Sequence, residues 1–439
     1  MPQNFHSLSH DLPRPSLSEL TKASWKIGVL GFGGPAGQIA LMHKVFVEEK
    51  RWIDEPRYLH ALSYCTLLPG PEAQQLATYV GWLLHGVRGG LIAGWLFVLP
   101  GVVVMLGLSW LYAAQGQTPL VAALFYGIKA AVVALVVEAL IRIGRRALKG
   151  WVDLLIGVVA FAALTLLGAP FPLVVLGAGL FGYLRSGKTE VVSRATGTKP
   201  AATHNPFARA AVWAGLWLGP LVLLGVTLGP QHLLTRVATL FSILSTVTFG
   251  GAYAALAYLQ QQAVSAQGWL TPSQMIDGLG LAETTPGPLV LVNQYVAFMA
   301  GWRGAGGGLG LAVAAALIAS WSTFAPSFLW IFAGAPYAER LRQNPRAKAA
   351  LAAVTAAVLG VIANLALWFA VHALFQQTAP WRLAWGHGVE LPVLSSLDPY
   401  ALVLSMAAGA ALIRWKVNVI VVVLACAALG AVIRLSGLE

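Results

Sequence analysis

The residues that mark where this chain could do chemistry are glycines and prolines inside apolar sequence. Phe32-Gly33-Gly34-Pro35 and Pro69-Gly70-Pro71 interrupt such sequence, and Phe249-Gly250-Gly251-Ala252 and Pro286-Gly287-Pro288 do so again 217 residues later. Trp52 and Trp269 keep the same offset, so the chain carries an internal duplication. Glycine permits backbone angles barred to other residues, and proline removes a donor that a helical ladder needs, so each segment breaks a helix. Proline directly after glycine suits the first position of a new helix. The pattern predicts helices that start near residues 35, 71, 252 and 288, with Pro35, Pro71 and Pro288 in that position and Ala252 taking it in the remaining break. Helix starts carry unpaired N–H groups and the positive end of the helix dipole. Several of them converging form a site for a small anion without any full positive charge. The plainer alternative is that the breaks only let helices pack closely.

Polar residues near the breaks fill out the candidate site. Glu72 follows Pro71, and Glu283-Thr284-Thr285 precedes Pro286. A carboxylate embedded in a membrane is costly and is a functional candidate by default, here for exchanging a proton coupled to anion movement. Glu72 also sits in a first helical turn, where a carboxylate serves as a structural partner of the dipole. The substrate-binding candidates are Gly33, Gly34, Pro35, Gln38, Gly70, Pro71, Gly250, Gly251, Thr284, Thr285, Gly287, Pro288, Asn293 and Lys129. Thr66, Gln74 and Gln294 are further hydrogen-bonding groups nearby. Lys129 lies nine residues before Glu138, on a different side of its helix. It offers countercharge to an anion or pairs with a carboxylate on another helix. Lys26 is expected to snorkel to the surface, His43 and His372 to be packed or interfacial, and Trp52 and Trp269 to anchor at the interface. Cys65 and Cys426 lie in apolar segments without metal-ligand spacing and read as buried small hydrophobes.

The elements that must position these residues are membrane helices. Of the residues 58% are hydrophobic and 10% charged, and the mean hydropathy is +0.73, the composition of a polytopic helical membrane protein. Stretches such as Gly90–Ala114 and Pro119–Ile141 exceed the about 20 residues that cross a hydrocarbon core of about 30 Å. The alternating segments of about ten residues typical of a transmembrane barrel are absent. The expected fold is all-α, with two inverted-topology repeats. Residues 1–16 form a polar tail, 17–184 the first repeat, 185–207 a cytoplasmic linker, 208–228 a connecting transmembrane helix and 229–439 the second, inverted repeat. Each repeat holds two helix–break–helix hairpins, near 17–49 and 56–87 and again near 232–266 and 272–302. About four fuller spans follow, near 90–114, 119–141, 151–167 and 170–184, and near 308–334, 348–375, 399–413 and 416–434.

The net charge of +12 resides in short connections: Arg142 to Lys149, Arg185 to Arg209, Arg340 to Lys348, and Arg414 with Lys416. That is the positive-inside pattern of a membrane protein and not a nucleic-acid surface. It places the N-terminus and the linker in the cytoplasm and the C-terminus outside, and span parity independently gives the same orientation. The N-terminal segment lacks the apolar core of a cleaved signal peptide.

Phe32-Gly33-Gly34-Pro35, the downstream Trp52 and Pro69-Gly70-Pro71 resemble the first-half signature of the chromate ion transporter family. Phe249-Gly250-Gly251-Ala252-Tyr253, Gly268-Trp269-Leu270-Thr271 and Thr284-Thr285-Pro286-Gly287-Pro288 resemble its second-half signature, so the likeness covers nearly the whole chain in the family's long, two-domain form. The resemblance implies secondary active export of chromate across a bacterial inner membrane, conferring chromate resistance. Sulfate, a similar tetrahedral dianion, is the natural competitor. Two positions depart from the family pattern: Ala252, where a third glycine is common, and Gln38, where relatives often have histidine.

Other functions fit less well. A primary pump lacks its phosphate-binding signature. A chromate reductase would need a flavin, haem or metal site, and neither a glycine fingerprint nor a Cys/His cluster is present, so no enzymatic activity and no cofactor are expected. Transport of sulfate or another oxyanion, and an anion channel using the same helix ends, are the alternatives. The expected partners are the oxyanion and the lipid bilayer, with a homodimer expected from the general frequency of two-fold assemblies.

Overall fold

The computed structural model describes residues 13, 15–186, 206–249, 251–304, 308–334, 344–382 and 388–437. Most of the polar tail, most of the 185–207 linker and Gly250 lie outside the described residues. Ser16 opens helix α1 (Leu17–Leu30) with a reciprocal cap: its hydroxyl accepts from the Glu19 N–H at 3.2 Å while its own N–H donates to the Glu19 carboxylate at 2.7 Å. After the first break, α2 (Gly34–His43) runs into one π-helical turn, Lys44–Glu49. Asp54 caps α3 (Glu55–Cys65), and α4 (Glu72–Gln115) starts from the second break. The sequence suggests two elements within α4. The structure joins them without a loop, through a bend at His85–Gly86, where Gly86 has φ 60°.

Four helices follow: α5 (Pro119–Ala147), α6 (Trp151–Leu167), α7 (Phe171–Arg185) and α8 (Pro206–Leu228). The second half opens with α9 (Leu233–Val247), α10 (Ala252–Gln260) and a second π-helical turn, Gln261–Ala266, displaced from the first by the same 217 residues. Then come α11 (Pro272–Thr284), a 3-10 turn (Leu289–Leu291), α12 (Val292–Gly304), α13 (Leu309–Gly334) and α14 (Pro345–Leu374). A β-hairpin that the sequence does not announce, β1 (Thr378–Arg382) and β2 (Gly388–Pro392), pairs antiparallel before α15 (Pro399–Ile413) and α16 (Val419–Leu435).

Among the described residues, five helices are long and apolar enough to cross a membrane, α4, α5, α8, α13 and α14, with shorter apolar helices beside them. Two contacts define the faces. The His85 ring donates to the Pro15 carbonyl at 2.8 Å, so the bend of α4 returns to the face where α1 begins. The Tyr126 hydroxyl meets the Asp398 carboxylate at 2.8 and 2.9 Å, so α5 and α15 begin together at the other face. Small residues set the closest helix approaches. A Cβ at Gly127 of α5 would strike the Cys426 carbonyl of α16, and one at Gly360 of α14 would strike the Gly157 carbonyl of α6. Helix α8 is the exception, for only 6% of its apolar window is buried, which leaves its sides for lipid. Cys65 and Cys426 are buried free thiols. Trp52 and Trp269 are each only 7% exposed, with the Lys50 ammonium over one ring and the Arg236 guanidinium over the other, both at 6.0 Å.

Candidate functional site

The four breaks are built alike. Each described break holds a glycine of positive φ: Gly33 (82°) and Gly34 (69°), Gly70 (104°), Gly251 (103°) and Gly287 (92°). At Gly70 and Gly287 the requirement is strictest, because their N–H groups also reach across the molecule. The Gly70 N–H donates to the Thr248 carbonyl at 2.9 Å, and the Gly287 N–H donates to the Gly31 carbonyl at 2.9 Å. Donors and acceptors are both related by the 217-residue offset, so each half completes the other's break in the same way. The Gln38 amide strengthens one of these junctions. Its Nε2 donates to the Gly31 carbonyl at 3.1 Å and to the Gly287 carbonyl at 2.6 Å. Gln75 Nε2 holds the Pro69 carbonyl at 2.7 Å. Gly101 of α4 lies directly behind the fourth break, with its Cα 3.6 Å from the site where a Gly287 Cβ would stand.

Pro35 sits in the first turn of α2 and Ala252 opens α10, as the sequence suggests. Pro71 is instead the N-cap of α4, at φ −78° and ψ 96°, and Pro288 caps the short 3-10 turn that leads into α12. The correction follows from geometry. A proline that leaves a positive-φ glycine on extended ψ stands one residue outside the helix, and its missing N–H still costs nothing there.

The breaks converge on one cavity of about 30 Å³. Helix α2 contributes Pro35 and Gln38; the start of α4 contributes Gly70, Pro71 and Glu72; α10 contributes Gly251 and Ala252; and the fourth break contributes Pro288 and Asn293. Ser245 and Thr248 near the end of α9 and Thr323 in the middle of α13 add hydroxyls to a wall that also includes the apolar Ala73, Leu244, Ala255, Leu289 and Val290. The space accommodates about one or two water molecules, so a tetrahedral oxyanion needs the helix ends to part. Residues at the starts of four helical segments border this volume, the kind of position where N–H groups and dipole ends favour an anion.

Two side-chain amides lining it have an unused oxygen: Gln38 Oε1 and Asn293 Oδ1 are buried without a hydrogen-bond partner. Asn293 Nδ2 donates to Thr323 Oγ1 at 3.1 Å. Turned over, the same amide would accept from the Thr323 hydroxyl and offer its N–H groups to an anion. Glu72 is the one carboxylate on the wall, and among the described residues it has no ion-pair partner. Ionised, it repels an anion beside it; carrying a proton, it does not.

Other sequence candidates fall elsewhere. Gly33 and Gly34 shape the first break but lie off the cavity wall, and Gly287 touches it only through Gln38. The hydroxyls of Thr284 and Thr285 are occupied by carbonyls of their own helix, Leu281 at 2.9 Å and Ala282 at 3.0 Å. Gly250 lies outside the described residues. Glu283 is buried, is not among the residues of the cavity wall, and accepts from the Tyr253 hydroxyl at 2.6 Å. Lys129 is not on the wall. Its ammonium stands 3.7 Å from the Asp277 carboxylate and donates to Ser273 at 2.6 Å, the second of the two roles open to it. Thr323, Tyr253 and Asp277 escape the sequence reasoning, although a hydroxyl or carboxylate within an apolar span was the signal available. Among the described residues no group of three or more His, Cys, Asp or Glu is placed to hold a metal ion.

The sequence profile of a family described as chromate transporter matches residues 18–183 and 235–431. A probable chromate transport protein of Synechococcus elongatus is 30% identical over 82% of this chain and 86% of its own length. A chromate transport protein of Pseudomonas aeruginosa is 33% identical over 80% of each chain, and one of Cupriavidus metallidurans is 28% identical over 80% of this chain and 82% of its own. No solved structure matches the chain.

Proposed function

Since this chain belongs to the chromate transporter family, we propose that it is a secondary active carrier that exports chromate across the inner membrane and so confers chromate resistance. One observation carries this: four helix starts, two from each half, meet around a single cavity, and the breaks are tied to one another by the paired bonds Gly70–Thr248 and Gly287–Gly31. Helix breaks at matching places in two halves are the usual construction of a transporter's central site. The substrate set is Pro35, Gln38, Gly70, Pro71, Gly251, Pro288 and Asn293, with Glu72 and Glu283 as the proton-exchanging candidates. Sulfate, of the same shape and charge, would compete.

The directions of the helices support an inverted repeat. Helix α1 enters toward the cavity from the face of His85 and Pro15. The contact of Lys129, in the first half of α5, with Ser273 supports a start of α11 on the side of the molecule nearer to where α5 begins. Basic side chains gather at the first face, where α5 ends in Arg145 and Arg146, so that face is cytoplasmic and the C-terminus lies outside. The narrowness of the cavity favours a carrier over a channel, since passage requires the helix ends to move.

The test is chromate accumulation in energised everted vesicles, with and without excess sulfate and a protonophore. Protein-dependent uptake that sulfate competes and the protonophore collapses is expected. Correctly inserted protein that accumulates no chromate refutes the assignment.

A further inference from the structure

Away from the cavity, between it and the face where α5 and α11 begin, lies a buried charge cluster that the proposed transport cycle has not yet used. Asp277 on α11 has a side chain only 4% exposed, and its partner Lys129 on α5 is 24% exposed. The Tyr112 hydroxyl of α4 donates to Asp277 Oδ2 at 2.7 Å. The ammonium is 3.7 Å from Oδ1, beyond hydrogen-bonding reach, and donates to Ser273. Asp277 Oδ1 is therefore a buried carboxylate oxygen that accepts no hydrogen bond. Close by, the Tyr295 hydroxyl of α12 is buried without a partner, its ring edge-on to Tyr112 at 5.5 Å.

A pair retained only to pin α5 to α11 would be expected to close up, since a buried ion pair repays its desolvation only when its lone pairs are satisfied. Here one carboxylate oxygen stays vacant and the cation keeps a second partner. We propose that Asp277 exchanges a proton with the solution at this face, and that the Lys129 ammonium is the internal cation that takes the proton's place. On release, the O–H bond at Asp277 Oδ1 breaks, the electron pair stays on the carboxylate, and the proton passes to water that reaches the site beside the partly exposed Lys129. Lys129 then neutralises the carboxylate. On reloading, the proton returns to Oδ1 and the ammonium rests on Ser273.

The groups acting on Asp277 are Lys129 and Tyr112. Arg303, at the end of α12 and bonded to the Trp269 carbonyl at 3.3 Å, lies near both tyrosines. Glu283 follows Asp277 on the same helix six residues later, about 9 Å along the axis. A proton used at the cavity thus has an acidic station between itself and this face. The assignment rests on the carrier reading above.

The test uses proteoliposomes of the full chain with chromate as the probe, in wild type, Asp277→Asn, Asp277→Glu and the doubly neutral Asp277→Asn/Lys129→Gln. Gradient-free counterflow is measured beside accumulation driven by one unit of pH, which supports a ratio of about tenfold for one coupled proton. Asp277→Asn is expected to keep counterflow and lose the driven accumulation and the proton flux that accompanies it, while Asp277→Glu keeps all three. If the single variant fails to insert, the doubly neutral one decides by the same readouts. Driven accumulation at the wild-type level in either neutral variant overturns the proposal. So does equal loss of counterflow and accumulation that Asp277→Glu does not rescue, the mark of a structural pin. Wild-type protein with no counterflow refutes the carrier reading itself, and this assignment with it.

Discussion

Replacing Gly101 with alanine separates the cost to the fold from the cost to the site. Gly101 is a helical residue of α4, but its missing side chain is what lets the fourth break lie against the helix. A Cβ there would strike the Pro286 carbonyl oxygen and stand 2.5 Å from Leu291 Cδ1, where ordinary contact begins at 3.4 Å. The Leu291 methyl can swing away; the carbonyl cannot, because Gly287 next to it is fixed by its bond to Gly31. The break must therefore shift by about 1 Å. Overpacking of this kind costs about 1–3 kcal/mol, offset by about 1 kcal/mol of helix propensity gained when glycine becomes alanine. The net loss of stability is small. The effect on transport is not, since an error of about 1 Å at a positioned site can cost on the order of a hundredfold. Gly107, on the same helix with nothing within 4 Å of its would-be Cβ, is the control. Chromate flux in proteoliposomes and the thermal midpoint of the purified protein are measured for both variants. Gly101→Ala should nearly abolish flux with little change in midpoint, and Gly107→Ala should leave flux intact. Wild-type flux in Gly101→Ala, or equal damage from the two, refutes the reasoning.

Other substitutions probe the same construction. Gln38→Leu strands the Gly287 carbonyl, a loss of about 1–3 kcal/mol for a buried unpaired group, to be read as a lower thermal midpoint together with lower flux. Asn293→Leu removes an amide from the cavity wall; a hydrogen bond to a charged ligand is worth about 1.5–3 kcal/mol, so half-saturation should rise about tenfold or more, and unchanged saturation would remove Asn293 from the site. Glu72→Gln should flatten the pH profile of chromate flux, and a profile superimposable on wild type would assign Glu72 to the helix dipole alone. At the surface end of α2, the Glu55 carboxylate hydrogen-bonded to His43 at 2.5 Å holds the imidazole above its ordinary value of 6.5. The protonated pair therefore stabilises fully below pH 6.5 and loses its effect as pH rises through the elevated value. His43→Gln should lower the thermal midpoint in mildly acidic buffer and leave it unchanged in alkaline buffer.

The duplicated glycine and proline breaks were legible because backbone constraint is written in residue type: no other residue pair interrupts an apolar helix so plainly. The spans α6, α13 and α15 follow from apolar length, and most of their ends fall at glycine, proline or aspartate, with Arg414 closing α15. The joined α4 was harder to foresee, because the Gly86 bend keeps helical bonding on both sides and looks from sequence like a loop. The β-hairpin at 378–392 has short strands without regular alternation. Side-chain pairing was least visible. Lys129 shows an unpaired charge in a span, but its partner Asp277 is 148 positions away on a helix that only the fold brings alongside. Thr323 likewise reaches the cavity only because α13 packs against α12.

The crossed bonds between the breaks have a consequence for how such a chain can arise. Each half presents one donor glycine and one acceptor carbonyl in matching places, and the two halves exchange them reciprocally. A polypeptide of one half would then be self-complementary, able to close the same junction with a second copy of itself. Fusion of the two fixes their stoichiometry at one to one and releases them from having to be identical. Gln38 in one half and Ala255 at the corresponding place in the other show such a difference: one junction carries an amide clamp and the other does not.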